Sequence, residues 1–341
     1  QVDGSVVEFV QTEPAVSRRS RVYVPEPVVL ERSSEAEIFA AGADLKNTFC
    51  LVKGTQCLLS EHIGDLEDAL VYRHYKRSIP HLSALFRVEP TVVACDLHPG
   101  YLSSQYARGL EAEKVVAVQH HWAHIASVLA EHQLSEPVIG LAADGTGLGT
   151  DGAIWGCECM VASLREFTRV GQLRYYPLAG ADRSAREPIR PLMGLLRTRM
   201  DGPGYLREYA ELLERVEPDR VRIQVIADQI EKSVNPVKTS SLGRLFDAVA
   251  AVLGLGAYNE FEAQLPMLLE AAAAPDVRLA YGMPVETDFT GQLILDFAPM
   301  LDGILEDQRR GYSTSVIAAK FHNGLANGLA RLVVSEIMMP I

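Results

Sequence analysis

The amino-acid sequence predicts an α/β protein built in two lobes, on three observations. Short runs rich in β-branched residues alternate with longer stretches of helical period. A strand-rich opening around a polar glycine loop occurs near residues 47–60 and again from residue 137, as a duplicated layout would give. The 341 residues, 48% of them hydrophobic, also exceed what one simple core needs. The expected division is an extended lead-in at 1–35, a first lobe at 36–135 and a second lobe at 136–341.

Taken in order, Pro14, Pro25 and Pro27 among charges and valines give the lead-in its extended character. Residues 47–52 and 56–60 flank Lys53-Gly54-Thr55 and predict a hairpin. Helical period follows over 65–87, before Pro90, and 91–96 read as a buried strand running into the Pro99-Gly100 turn. A strand at 114–119 leads directly into a helix from His120 to about His132. Next come a strand at 137–143, a glycine-rich turn and a strand at 153–161. Residues 205–235 and 310–337 read as helices, the first acidic and amphipathic, the second rich in alanine and leucine.

Composition excludes several classes. No apolar run approaches the roughly 18 residues of a membrane span, and Gln1-Val2-Asp3-Gly4 lacks the basic start and apolar core of a secretory signal. The cytoplasm is the expected compartment. Cys50, Cys57, Cys95, Cys157 and Cys159 are odd in number and form no C-x-x-C, which argues for reduced thiols rather than a disulfide framework or zinc ribbon. A net charge of -12 argues against a nucleic-acid partner, because such affinity rests on basic residues neutralising phosphates. Arg18-Arg19-Ser20-Arg21 is the densest basic cluster and reads as a solvated linker.

Three segments carry candidate chemistry. In Gln119-His120-His121-Trp122-Ala123-His124, a helix starting at the strand end puts His120 and His124 on one face and His121 about 100° away. That pair suits one metal ion, or a hydrogen-bonded pair of imidazoles. Asp144-Gly145-Thr146-Gly147 follows a buried strand and suits a phosphate or cation loop, although an acidic hairpin turn has the same composition. Asp144 would complete an N,N,O set with the histidines that suits iron(II) or zinc better than magnesium. Ser241 ahead of Gly243, Arg244 and Asp247 opens a capped helix whose first-turn N–H groups form an anion site, with Asp247 placed for ribose hydroxyls; an ordinary capped amphipathic helix reads the same. Asp96, His98, Tyr101, Glu158, Arg186 and Arg190 stand in apolar or glycine-rich settings, where each alone is more often a structural hydrogen-bonder. Cys157 and Cys159 share a strand face and read as packing.

These segments, in this order, resemble the HypF family of hydrogenase-maturation carbamoyltransferases. The likeness covers nearly the whole chain. It runs from Asp3-Gly4-Ser5-Val6 and the arginine cluster, similar to the end of a YrdC-like domain, through Leu45-Lys46-Asn47-Thr48-Phe49, His62-Ile63-Gly64-Asp65 and Asp96-Leu97-His98-Pro99-Gly100-Tyr101. It continues through the histidine motif, Asp144-Gly145-Thr146-Gly147, Ile154-Trp155-Gly156-Cys157-Glu158, Arg186-Glu187-Pro188-Ile189-Arg190, Gly243-Arg244-Leu245-Phe246-Asp247 and Phe261-Glu262-Ala263-Gln264 to Phe321-His322. The resemblance implies the two-lobed actin-like ATPase (ASKHA) fold, which the two hairpin-first lobes suit. It implies transfer of the carbamoyl group of carbamoyl-adenylate, made from carbamoyl phosphate and ATP upstream, to the C-terminal cysteine thiol of a HypE-like acceptor. It also implies a divalent metal on His120, His124 and Asp144. Nucleotide would be held by Lys46, Asn47, Gly145, Thr146, Gly147, Gly243, Arg244, Asp247 and Glu262, with His98, Arg186 and Arg190 at the reacting centre.

The sequence departs from the family pattern with Val22 for glycine, Glu61 for glutamine and Cys157 for a second glycine. It stops at Ile341, before the family's Ser-Gly-Gly and Asn-Asp-Gly-Gly segments, so the second lobe is expected to be C-terminally incomplete. The body of the YrdC-like domain, the zinc fingers and the acylphosphatase-like domain are also absent from it. The competing expectations are an O-carbamoyltransferase acting on a small hydroxylated molecule, a threonylcarbamoyl transferase acting on tRNA, and a non-catalytic nucleotide-binding or HypE-docking module. The His62-Ile63-Gly64-Asp65 and Asp96-Leu97-His98-Pro99 motifs favour the HypF branch over the first, and the acidic balance speaks against the second.

Overall fold

The computed structural model describes residues 4–10, 12–20, 23–200, 202–232 and 237–338. Asp3, Arg21, Val22 and Ile341, which entered the sequence comparison, lie outside them, as does the end of the helix expected at 205–235. The chain separates into two units, Gln1–Glu136 and Pro137–Ile341. No helix among the described residues is long and apolar enough to cross a membrane.

In the first unit β1 (Val6–Val10) and β2 (Glu13–Arg18) form an antiparallel pair of their own. The main sheet has the order β4-β3-β5-β6, from β3 (Val28–Ala40), β4 (Cys50–Leu59), β5 (Val92–Asp96) and β6 (Lys114–Val118). Residues 28–35, expected in the lead-in, thus belong to β3. Val28 and Val29 lie opposite Cys57 and Gln56, so the sheet satisfies their backbone groups. The expected hairpin lies within β4, which turns back at Gly54 (φ +59°). Just outside its ends the Ser60 N–H donates to the Phe49 carbonyl at 2.8 Å, and the Phe49 N–H to Ser60 Oγ at 3.1 Å.

Helix α1 (Ala69–Phe86) begins later than its periodicity suggested, because Asp68 caps it, accepting from Leu70 and Val71 N–H groups. Its Tyr75 is fully buried, makes edge contacts with Phe49 and Tyr106, and donates to the Ala41 carbonyl at 3.0 Å. Helices α2 (Leu102–Arg108) and α3 (His120–Glu131) complete the unit. β5 runs parallel to both β3 and β6, so β5 and β6 finish at the same end of the sheet.

The second unit opens with β7 (Val138–Leu148), β8 (Ile154–Ala162) and β9 (Phe167–Leu173), an antiparallel meander. It continues through β10 (Tyr176–Pro177), α4 (Arg183–Arg186), α5 (Ile189–Arg197), α6 (Tyr205–Glu208), α7 (Ala210–Val216), α8 (Arg220–Lys232), β11 (Lys238–Thr239), α9 (Leu242–Val252) and α10 (Gln264–Ala272). Then come β12 (Val285–Thr287), β13 (Leu293–Leu295), α11 (Ala298–Arg309) and α12 (Thr314–Ile337). Here β9 pairs with β13 in parallel and β8 with β11 in parallel. Helices α5 and α9 form the centre of its core, with Leu192, Met193, Leu195, Ala248, Ala250 and Val252 without exposed surface.

Two expectations are corrected. The single helix at 205–235 is three, broken at Tyr209 and at Pro218; the proline has no N–H to continue α7. The glycine-rich turn after residue 143 is not the turn of its hairpin: β7 runs on through Asp144-Gly145-Thr146-Gly147 to Leu148, with a register shift between Ala143 and Gly147. The chain reverses at 149–153 instead, where the Gly149 N–H donates to the Ala153 carbonyl at 2.9 Å. Residues 144–146 therefore bulge from a paired strand, a displacement glycine permits.

Glu158 on β8 is fully buried and ties several segments together. Its Oε1 accepts from the Gly156 and Cys157 N–H groups and from Ser240 Oγ, while Oε2 accepts from Arg169 Nε. Arg169 lies 3.9 Å over the Trp155 ring and donates to Tyr175 Oη, which donates to Asp151. Cys157 and Cys159 are buried in the core, where desolvation pushes the Cys159 thiol up to about 12, as packing rather than ligand cysteines require.

Two predictions test this packing. Glu158→Ala should cost about 3 kcal/mol, because it removes the buried partner of Arg169 and leaves only Asp151 at 3.5 Å, and Glu158→Gln less; urea unfolding measures both. Gly194→Ala on α5 should lower the thermal midpoint although alanine is the better helix former by about 1 kcal/mol. Its Cβ would stand 1.9 Å from the Pro177 carbonyl oxygen, and moving backbone costs more than the propensity returns.

Candidate metal and nucleotide site

The first unit builds its candidate site where β5 and β6 end. Asp96 lies opposite Val118 in the parallel register, and the Leu97 N–H donates to the Val118 carbonyl at 2.9 Å. The chain then turns into α3, capped by Gln119, whose Oε1 accepts from the Trp122 N–H at 2.8 Å. His120 and His124 therefore stand one turn apart with their rings edge to face and their Nε2 atoms 3.3 Å from each other. His121 points inward, fully buried, with Nδ1 3.2 Å from Gln119 Nε2.

The 3.3 Å separation decides what the pair can do. Two nitrogens each about 2.0–2.1 Å from one tetrahedral ion stand about 3.3–3.4 Å apart, so the spacing of the imidazoles matches that of two ligands of one cation. The same spacing admits a single N–H···N hydrogen bond when one ring supplies the proton. Behind His120, its Nδ1 is 2.8 Å from Asp96 Oδ2.

The other first-unit candidates have defined surroundings. His98 stacks on Tyr101 with centroids 4.3 Å apart, and its Nδ1 accepts from the Gly100 N–H at 3.2 Å. Asn47 is buried and donates through Nδ2 to the Ala41 and Ala43 carbonyls, so its side chain holds the loop. Lys46, next to it, is exposed; its backbone has φ +48° and its N–H donates to Asp65 Oδ1 at 2.8 Å.

In the second unit, residues about 100 positions apart converge. Ser241 caps α9 by accepting from the Arg244 N–H, and its own hydroxyl donates to the Gly145 carbonyl at 2.6 Å. A Cβ on Gly243 would stand 3.0 Å from the Gly145 Cα, and one on Gly156 would stand 2.7 Å from both the Asp144 carbonyl oxygen and the Ser241 Cα. The bulge of β7 is thus seated on the first turn of α9, bringing Asp144, Gly145, Gly243 and Arg244 together. Thr146 is exposed in the bulge, and Gly147 is buried opposite Trp155.

Asp247 has no exposed surface; it pairs with Arg244 Nε at 2.8 Å and accepts from Asn259 Nδ2 at 2.8 Å. Burial raises its pKa, against the pull of Arg244 and Asn259. Asn259, which the sequence reading missed, is a buried hub: its N–H donates to the Arg186 carbonyl, Nδ2 also to the Ala185 carbonyl, and Oδ1 accepts from the Leu265 N–H. It links the segment of Arg186 to α9 and to the loop bearing Glu262. Only its place between a glycine-rich loop and a helix could have flagged it. Arg186 and Glu262 are exposed. Arg190 is apart from them, buried under Gly180 and bound to Glu187 at 2.6 Å and Gln229 at 2.9 Å.

Comparison with known proteins accounts for both units. Residues 33–131 match the family described as HypF Kae1-like domain, and residues 140–338 match the carbamoyltransferase Kae1-like domain, second subdomain. The carbamoyltransferase HypF of Rhizobium leguminosarum bv. viciae is 39% identical over 97% of this chain and 41% of its own length. The Synechocystis HypF is 34% identical over 96% and 43%. A HypF homolog of Cupriavidus necator is 38% identical over 87% of this chain and 76% of its own. The crystal structure of a full-length HypF in a phosphate- and nucleotide-bound form superimposes with a TM-score of 0.91 at 39% identity, covering 98% of this chain and 43% of that one. The chain thus spans less than half the length of the first relatives it matches. Its α/β architecture is of the Kae1-like, actin-related kind, and the chain belongs to the HypF carbamoyltransferase family.

Proposed function

We propose that this chain is the carbamoyl-transfer portion of a hydrogenase-maturation enzyme. It would pass the carbamoyl group of carbamoyl-adenylate to the C-terminal cysteine of a HypE-like acceptor, giving a thiocarboxamide and AMP. The observation that carries the reading is the facing pair of imidazole nitrogens on α3, 3.3 Å apart, in a chain of this family. His120 and His124 would hold a divalent ion, with a carboxylate as the third ligand that the family likeness implies, and two nitrogens with one carboxylate suit iron(II) or zinc. When bound, that ion supplies Lewis acidity toward a carbonyl or phosphoryl oxygen.

The remaining work falls to the chain's own groups. The bulge at Gly145, Thr146 and Gly147 and the first-turn N–H groups of α9 at Gly243 would line the adenylate phosphate, with Arg244 supplying positive charge; the Gly145 N–H itself is taken by Asp144 Oδ1 at 2.6 Å. Asp247 has no surface to offer a ligand, so its part would be to hold Arg244 in place. Lys46 and Glu262, both exposed, are the proposed side-chain contacts to nucleotide, and Asn47 fixes the loop that carries Lys46. The acceptor thiolate attacks the carbamoyl carbon, a C–S bond forms, the C–O bond to phosphate breaks, and AMP leaves as the anion. His98 and Arg186 are proposed near the reacting carbonyl, while buried Arg190 would support the fold around them.

Metal analysis of the purified chain should find a bound divalent ion that His120→Ala and His124→Ala each remove. Mixing the chain with acceptor protein, carbamoyl-adenylate and metal should add one carbamoyl group to the acceptor cysteine by mass spectrometry. Acceptor binding without that mass increase would make the chain a docking module instead, and carbamoylation of a small alcohol would favour the O-transfer reaction.

A further inference from the structure

Asp96 is a buried carboxylate to which neither the family likeness nor the proposed transfer assigns a role. It lies at the last position of β5 with 7% of its side chain exposed, and both oxygens are used in different directions. Oδ2 is 2.8 Å from Nδ1 of His120, and Oδ1 accepts from the His98 N–H at 2.7 Å. The Asp96 carbonyl meanwhile accepts from Ser104 Oγ at 3.1 Å, so the residue is anchored through its backbone as well.

An ionised carboxylate accepts hydrogen bonds and cannot donate them, so its contact with Nδ1 places the His120 proton there. The other ring nitrogen then carries a lone pair, and that nitrogen is the one facing His124 Nε2 at 3.3 Å. A ring buttressed in this way is fixed in tautomer and orientation and is made more basic, the usual second partner of a metal-binding histidine. We infer that Asp96 is the positioning residue of the metal site, holding His120 as the Nδ1–H tautomer with Nε2 ready to bind a cation, and that its other oxygen sets the loop of His98 from the same anchor. The inference rests on the metal reading above. It goes further in naming what organises the first ligand before any ion arrives.

Cobalt(II) titration of the full 341-residue chain, followed by visible absorption and by zinc competition, tests this with wild type, Asp96→Asn, Asp96→Glu and His120→Ala. Asp96→Asn should bind cobalt about 10- to 100-fold more weakly, the usual range for loss of such a partner. Asp96→Glu keeps the charge but displaces it and should fall between Asp96→Asn and wild type. Nitrogen-15 NMR of the metal-free wild type should show His120 protonated at Nδ1, a readout that a merely structural aspartate would not move, and Asp96→Asn should shift it toward a mixture of tautomers. Unchanged cobalt affinity and spectrum in Asp96→Asn would overturn the inference. So would a wild-type His120 protonated at Nε2, a result available even if the Asn variant fails to fold. The two readings separate cleanly: if His120→Ala binds cobalt like wild type the metal reading fails, whereas loss in His120→Ala with retention in Asp96→Asn defeats only the role of Asp96.

Discussion

Where β7 meets the first turn of α9, the backbones approach so closely that one extra carbon would not fit. Gly156 and Gly243 face this contact, and a Cβ on either would come within 2.7–3.0 Å of main-chain atoms of the opposing segment. Such contacts involve backbone, which cannot rotate away as a side chain does, so glycine at these positions follows from geometry. The remaining candidate chemistry of the second unit depends on this seat. It puts the carbonyl of Gly145 within reach of the cap hydroxyl of Ser241, and so fixes the β7 bulge relative to the N–H groups that open α9. A bulge in β7 would otherwise be a local irregularity; seated on a helix start, it becomes one wall of an anion-binding arrangement.

Buried charge in the second unit supports the same contact. Glu158 reaches from β8 to Ser240, one residue before the cap, while its second oxygen is held by Arg169. Asp247 pairs with Arg244 from inside the helix and is itself held by Asn259. Glu158 is satisfied by several donors and Asp247 by one hydrogen bond from Asn259 and the Arg244 charge, and such pairing is the condition for a buried charge to be tolerated at all. Both networks end on the segment 240–247. The polar groups that cost most to bury are thus spent on orienting one short stretch of chain.

Much of this was legible in the sequence, for identifiable reasons. The histidine pair was, because a helix starting at a strand end converts a four-residue spacing into one face, and the structure puts the two Nε2 atoms together. The α9 cap was, because serine ahead of a helical period has a single physical use there. The β7 bulge was not, since glycine suits a turn and a bulged strand equally and only the pairing with β8 distinguishes them. The ribose role first expected for Asp247 depended on exposure, which composition does not report. Asn259 escaped, and Asp96 was singled out only as a structural hydrogen-bonder without its link to His120, because their partners lie 12 and 24 residues away, beyond any local period.

The first unit reaches its polar arrangement by another route, through strand register rather than glycine contact. Parallel pairing sets Asp96 opposite Val118, so the residue two places past Val118 necessarily stands above the end of β5, and that residue is His120. Shifting β6 by one residue would turn its alternating side chains over and carry the start of α3 with them. The buried strands that fix the register, with Val93 and Cys95 in the core of the unit, therefore also set the distance between carboxylate and imidazole. The apolar pattern of β5 and the polar pair at its end are one constraint: the core side chains choose the register, and the register delivers the histidine to its aspartate.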